Sequence, residues 1–143
     1  MNNFETNSSF IKAKEELESY RLRITETRVL VEKINKLEHE ITSAGGTLVL
    51  PEGGTVKSLT TKIAYLTDLK EELNKKLKVA ESCLLVIDNR ISKLSSEDAH
   101  YLSMKFIMLV PSKVIAYHDG YSNIHVRRKI VEAVHHYANL YFA

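Results

Sequence analysis

The sequence has few of the residues on which disulfide-rich, zinc-binding or turn-rich folds depend. Its 143 residues include one cysteine (Cys83), two prolines, five glycines and no tryptophan. A single cysteine excludes an internal disulfide and a multi-cysteine zinc site. So few glycines and prolines argue against a β-sandwich or barrel, which needs many turns. Since alternating strand patterns are also rare, the sequence predicts an all-α protein.

Long apolar runs are missing as well. Runs such as residues 106–110 span five residues, whereas a membrane helix needs about 20. The first residues show no basic start followed by an apolar segment, which is the pattern of a secretion signal. We therefore expect a cytoplasmic protein without a membrane span. Hydrophobic residues make up 44% of the chain, enough to form a core.

Charge is distributed unevenly along the chain. Residues 1–98 hold 15 Lys or Arg against 16 Asp or Glu, whereas residues 99–143 hold 5 against 2. The same last third carries five of the six histidines and seven of the eleven aromatic residues. A shift of this kind favours a domain boundary. We place it between an arm, residues 1–95, and a C-terminal module, residues 96–143.

The arm is predicted to be a long helical hairpin. Residues 10–41 have the apolar spacing of an amphipathic helix, and residues 58–94 keep the heptad repeat of a coiled coil. Four glycines lie between them, within residues 44–54, and predict the turn. We expect the second helix to join two copies of the chain into a homodimer. The oligomerisation seam consists of Leu59, Ile63, Leu66, Leu73, Leu77, Leu84, Ile87 and Ile91.

Lys70 occupies a seam position at which the repeat calls for an apolar residue. Polar seam residues can set the register or the number of partners in a coiled coil. A chance interruption of the repeat explains this lysine equally well.

The C-terminal module is predicted to hold three helices, over residues 97–109, 112–118 and 123–141. The last two have the spacing of a helix-turn-helix, whose core would be Ala116, Gly120 and Val126. In that motif a small residue lets the helices cross closely, glycine takes a left-handed turn, and a branched residue fixes the second helix. On spacing alone, an ordinary helical corner is the alternative.

A polar and basic surface follows if Val126 faces the core. Arginine and asparagine can reach base edges in the major groove, and lysine can contact phosphates. A solvated face is the alternative for a short charge run such as Arg127-Arg128-Lys129. The predicted DNA-binding residues are Lys113, Ser122, Asn123, His125, Arg127, Arg128 and Lys129.

The last third of the chain resembles a known family. The segments concerned are Phe106-Ile107, Val114-Ile115-Ala116-Tyr117, Gly120-Tyr121-Ser122 and Val126-Arg127-Arg128. Together with the charged hairpin upstream, they resemble the ArpU/RinA-type phage transcriptional regulators. The resemblance implies a helix-turn-helix similar to region four of bacterial sigma factors, double-stranded DNA as a partner, and a phage or prophage protein acting in a bacterial host. RNA polymerase of the host is a further candidate partner.

Signals for catalysis or metal binding are weak. His135 and His136 are adjacent, so on a helix they diverge by about 100° and cannot share one ion. The glycine-rich segment lacks the Gly-Lys-Ser/Thr ending of a phosphate loop. We expect no enzyme activity, no metal and no cofactor. Two function classes stay open: a DNA-binding transcriptional regulator or a small DNA-packaging subunit, and a coiled-coil protein that binds a host or phage protein.

Overall fold

The structure is a computed structural model that describes residues 3–46 and 56–143, and every regular element in these ranges is a helix. The prediction of an all-α chain is confirmed for them. The predicted hairpin turn falls largely on residues 47–54, which lie outside the described residues. The elements are α1 (Asn3–Gly46), α2 (Val56–Ser92), α3 (Ser96–Leu102), a π-helical turn (Ser103–Ile107), α4 (Ser112–Asp119) and α5 (Asn123–Tyr141).

Packing divides the chain into two compact units. One consists of Met1–Arg23 and Cys83–Ala143, and the other of Ile24–Ser82. Helices α1 and α2 therefore contribute residues to both units. The boundary predicted between residues 95 and 96 does not coincide with the division between these units, and the two domains it defines stay a prediction. Within the described ranges, no helix combines the length and the apolar character required to cross a membrane.

The unit of residues 24–82 contains apolar residues from both long helices. Leu30, Ile34 and Leu37 of α1 are buried at helical spacing, as is Leu66 of α2. The seam residues Leu59, Ile63, Leu73 and Leu77 are half-buried. The chain itself therefore covers part of the seam from which we predicted dimerisation.

Lys70, the polar residue of the seam, contacts α1 in the same unit. Its Nζ lies 2.9 Å from Oε1 of Glu38. The pair is partly exposed, so its contribution to stability is small. The contact shows that the charged side chain at this seam position has an acidic partner within the chain.

The other unit packs the first turns of α1 together with the end of α2 and the C-terminal helices. Its fully buried side chains include Leu17 of α1, Leu102 of α3, and Val126 and Tyr137 of α5. Each such side chain contributes roughly 1.5–3 kcal/mol by leaving water. These residues come from distant parts of the sequence, so the core of this unit depends on long-range packing.

A polar network joins three helices of this unit. Nη1 of Arg90 donates to both carboxylate oxygens of Glu16 at 2.7 Å, and the hydroxyl of Tyr137 donates to Oε1 of Glu16 at 2.8 Å. The hydroxyl of Tyr141 donates to the carbonyl of Arg90 at 2.9 Å. Burial raises the pKa of Tyr137 well above its usual range. The network therefore satisfies a buried hydroxyl while fixing α5 against α1 and α2.

Candidate nucleic-acid interface

The turn between α4 and α5 is short and has defined caps at both ends. Helix α4 ends at Asp119, and its C-cap is Gly120, whose φ of 78° lies in the left-handed region that favours glycine. The backbone N–H of Tyr121 donates to the carbonyl of Ala116 at 2.9 Å. The hydroxyl of Ser122 accepts from the backbone N–H of His125 at 3.1 Å and caps α5. This geometry fixes the direction in which α5 leaves the turn.

The three positions predicted as the motif core have distinct environments. Ala116 and Val126 are buried, and Gly120 takes the left-handed conformation. A Cβ placed on Gly120 would meet no atom within 4 Å. The requirement for glycine at this position therefore comes from backbone geometry and not from close packing.

Three of the seven predicted DNA-binding residues are exposed cations. Arg127 and Arg128 lie on the second turn of α5, and Lys113 lies on the first turn of α4. In the described part of the chain, Arg127 and Lys113 form no hydrogen bond or ion pair. Arg128 has a side chain that is 66% exposed and a distant contact to Glu132, with 4.0 Å between Nε and Oε1. Arg127 and Lys113 are therefore free to contact an external anion, and Arg128 also hydrogen-bonds His125 but keeps most of its side chain exposed.

Two other predicted residues serve the local fold. The hydroxyl of Ser112 donates to Oδ1 of Asn123 at 3.0 Å, which connects the starts of α4 and α5. The hydroxyl of Ser122 is the N-cap of α5. Each keeps a donor for a base contact, because the Nδ2 amide of Asn123 and the O–H of Ser122 take no part in these two bonds.

Lys129 is engaged by carboxylates. Its Nζ lies 3.0 Å from Oε1 of Glu97 and 3.7 Å from Oε2 of Glu132. The hydrogen bond to Glu97 raises the pKa of Lys129 above its usual value. The pair links α3 to α5, so Lys129 has a carboxylate partner within the chain where the sequence suggested a phosphate contact.

The remaining predicted residue, His125, stacks on an aromatic side chain. Its ring centroid lies 4.5 Å from that of Tyr121, and the planes are tilted by 32°. Nη2 of Arg128 donates to Nδ1 of His125 at 3.3 Å. Tyr121, His125 and Arg128 thus form a row along the start of α5. Tyr117 and Ile124 are also exposed on these two helices.

No comparison assigns this surface to a known group of proteins. No family model, no curated protein and no solved structure matches this chain. Its function is therefore inferred from its own residues.

A polar cavity of about 500 Å³ lies beside this surface, lined in part by Tyr101, Tyr121 and Lys129. The carboxylate of Asp119 accepts hydrogen bonds from two histidines, with 2.8 Å to Nε2 of His100 and 3.1 Å to Nδ1 of His118. These hydrogen bonds hold the pKa of Asp119 below its usual range.

The sequence did not indicate these pairs, although the concentration of histidines in the last third was a partial signal. A further pair joins Nδ1 of His136 to Oδ2 of Asp98 at 2.7 Å. Among the described residues, no group of three or more His, Cys, Asp or Glu side chains is placed to hold a metal ion. Two of these pairs connect helices: His100 with Asp119 joins α3 to α4, and His136 with Asp98 joins α5 to α3.

Proposed function

We propose that this chain is a DNA-binding protein in which α4 and α5 form a helix-turn-helix and α5 enters the major groove. The observation that carries the proposal is the pair of exposed arginines, Arg127 and Arg128, directly after a tight, capped turn. The buried Ala116 and Val126 and the left-handed Gly120 support it, because the motif requires these properties at these positions.

Exposed cations on both helices give the proposed contacts. Arg127 and Arg128 reach guanine edges or phosphates from α5, and Lys113 reaches a phosphate from α4. His125, whose ring packs on that of Tyr121 at the start of α5, is a further proposed contact with DNA. Lys129 acts by joining α5 to Glu97, so its effect on DNA is indirect.

The experiment measures binding of a labelled duplex from the upstream region of the chain's own gene by fluorescence anisotropy, over a series of salt concentrations. The slope of log K against log salt is negative, and each lost phosphate contact should make it less steep by about 0.9. The double variant Arg127→Ala/Arg128→Ala is expected to lose about 1–3 kcal/mol of binding for each arginine that contacts a base.

The matched control is Lys75→Ala/Lys76→Ala, which removes two adjacent exposed cations from α2. It should bind DNA like the original chain. If the arginine variant binds as tightly as this control, with the same salt slope, the DNA-binding proposal is wrong.

Pairing of two chains through the arm is part of the proposal. A single helix-turn-helix contacts few base pairs, and two linked copies gain affinity by avidity. The contact between Glu38 and Lys70 supports a hairpin of α1 and α2 within one chain. Tyr65 and Val79, which are 66% and 63% exposed, lie two heptads apart on α2 with the exposed Glu72 between them, and offer two apolar side chains to a second copy.

The resemblance to ArpU/RinA-type regulators suggests transcription regulation in a bacterial host as the biological role. A coiled-coil protein that binds another protein is the second candidate, because exposed apolar residues on α2 also suit such a partner. Salt separates the two: DNA binding weakens steeply with ionic strength, whereas apolar contact does not.

A further inference from the structure

A second surface of the same unit is an apolar groove of about 440 Å³ between α1, the π-helical turn and α5. Its floor is formed by Phe10, Phe106, Ile130, Val131 and Val134. Past Phe106 the groove continues into a smaller cavity of about 360 Å³, bounded by Leu109, Val110 and Pro111. The two cavities share Glu18, Lys105 and Phe106 and are therefore adjacent.

The rim of this groove is mainly positive. It carries Lys14, Lys105 and Arg127 against one carboxylate, Glu18. Lys14 and Glu18 are 3.9 Å apart and both more than half exposed, so they largely neutralise each other. Within the described ranges, Lys105 and Arg127 have no ion-pair or hydrogen-bond partner. The groove thus combines an apolar floor with two unneutralised cations.

The backbone at one end of the groove is irregular. The π-helical turn presents Lys105 and Phe106 to the groove, and such turns are frequent at functional sites. Leu109 follows with a φ of 55°, a strained conformation for a leucine, and its side chain stays 58% exposed. Met108 is exposed as well. Leu109 ends the π-helical turn, because the backbone N–H of Val110 donates to the carbonyl of Met104 at 2.9 Å. This chain reversal leaves the apolar side chains of Met108 and Leu109 exposed beside the groove.

We propose that this groove binds an acidic amphipathic segment of another protein. Apolar side chains of the segment cover Phe106 and Leu109, and its carboxylates pair with Lys105 and Arg127. A nucleic-acid backbone supplies anions but no apolar side chains for the floor, so the floor favours a peptide. Because Arg127 is also a proposed DNA contact, the bound segment competes with DNA for that arginine.

The test selects ligands for the full-length protein from a displayed library of random peptides about 15 residues long, a length suited to groove binding. Enriched peptides are expected to combine Asp or Glu with Leu, Ile or Phe. Their affinities are then measured by fluorescence anisotropy. Lys105→Glu should weaken binding about tenfold or more, as expected when a charged contact is reversed. Lys105 has no assigned DNA contact, so this result is independent of the DNA-binding proposal.

Two further variants complete the experiment. Lys93→Glu makes the same change of net charge at an exposed residue outside the groove and should leave binding unchanged. Leu109→Asn removes an apolar side chain without changing charge, and asparagine tolerates the left-handed conformation. It should weaken the same peptides several-fold while the circular dichroism of the folded chain is preserved.

Two results of the peptide experiment would overturn the proposal: no enrichment of acidic, apolar peptides, or equal peptide binding by Lys105→Glu and Lys93→Glu. If Lys105→Glu lost duplex DNA binding but kept peptide binding, the groove would be part of the DNA surface and the proposal would be wrong. It would also be wrong if sedimentation showed that Lys105→Glu dissociates a wild-type dimer, because the groove would then be a contact between copies of the chain.

Discussion

Replacing Gly120 with alanine tests the turn on which the proposed motif depends. The residue has φ 78° and ψ 25°, and the left-handed conformation costs an L-residue about 1–2 kcal/mol. A new Cβ meets no atom within 4 Å, so no steric clash adds to this cost. Alanine also reduces the entropy of the unfolded chain, which offsets about 0.4–1 kcal/mol. With central values of about 1.5 and 0.7 kcal/mol for the two terms, the net loss in unfolding free energy is about 0.8 kcal/mol.

Urea unfolding followed by circular dichroism measures this loss. For a slope of about 2 kcal/mol/M, the midpoint of Gly120→Ala should fall by about 0.4 M with the slope unchanged. Gly120→Asn is the matched control and should fall less, because asparagine visits the left-handed region more readily than alanine. An alanine variant as stable as the original chain, or an asparagine variant less stable than alanine, would refute the assignment of a left-handed turn.

Two further predictions concern side-chain contacts. Tyr137→Phe removes the hydroxyl that donates to Glu16 and should lower the unfolding free energy by about 1 kcal/mol, which corresponds to a fall in melting temperature of about 3–5 °C. The control Tyr117→Phe, at a residue that is 91% exposed, should leave the melting temperature unchanged. The pKa of Asp119 is lower folded than unfolded, so its stabilisation is present above the unfolded value near 3.9 and is lost as the pH falls through the folded value. Unfolding free energies measured below about pH 4 should therefore fall less steeply for Asp119→Asn than for the original chain, and parallel curves would contradict this.

Local signals in the sequence were sufficient to predict the helices. The heptad pattern of residues 58–94 corresponds to α2 (Val56–Ser92), and the pattern of residues 123–141 corresponds to α5 (Asn123–Tyr141). Apolar periodicity and helix caps depend on residues that are close in sequence, so both can be predicted from the sequence. The hydroxyl of Ser122, which caps α5 by accepting from the backbone N–H of His125, is an example. One local prediction was too regular, because the helix expected over residues 97–109 changes to a π-helical turn at Ser103–Ile107.

Long-range partners could not be predicted in the same way. The first turns of α1 were assigned to the arm, yet Leu17 is fully buried and Glu16 contacts Tyr137, 121 residues along the chain. An apolar stripe shows that a face is covered but not which element covers it. The groove floor has the same origin, since Phe10 and Phe106 meet only once the chain has folded.

The run Arg127-Arg128-Lys129 shows how a cluster in sequence becomes three separate surfaces. Successive residues on a helix point about 100° apart. Arg127 lines the apolar groove, Arg128 lies beside His125, and Lys129 is held by Glu97. Only Arg127 and Arg128 are therefore available for the proposed contact with DNA, since Lys129 is paired within the chain. Because Arg127 also lines the groove, a ligand bound there would remove part of the proposed DNA contact without touching Arg128. The proposed protein partner and DNA would therefore bind in partial competition rather than independently.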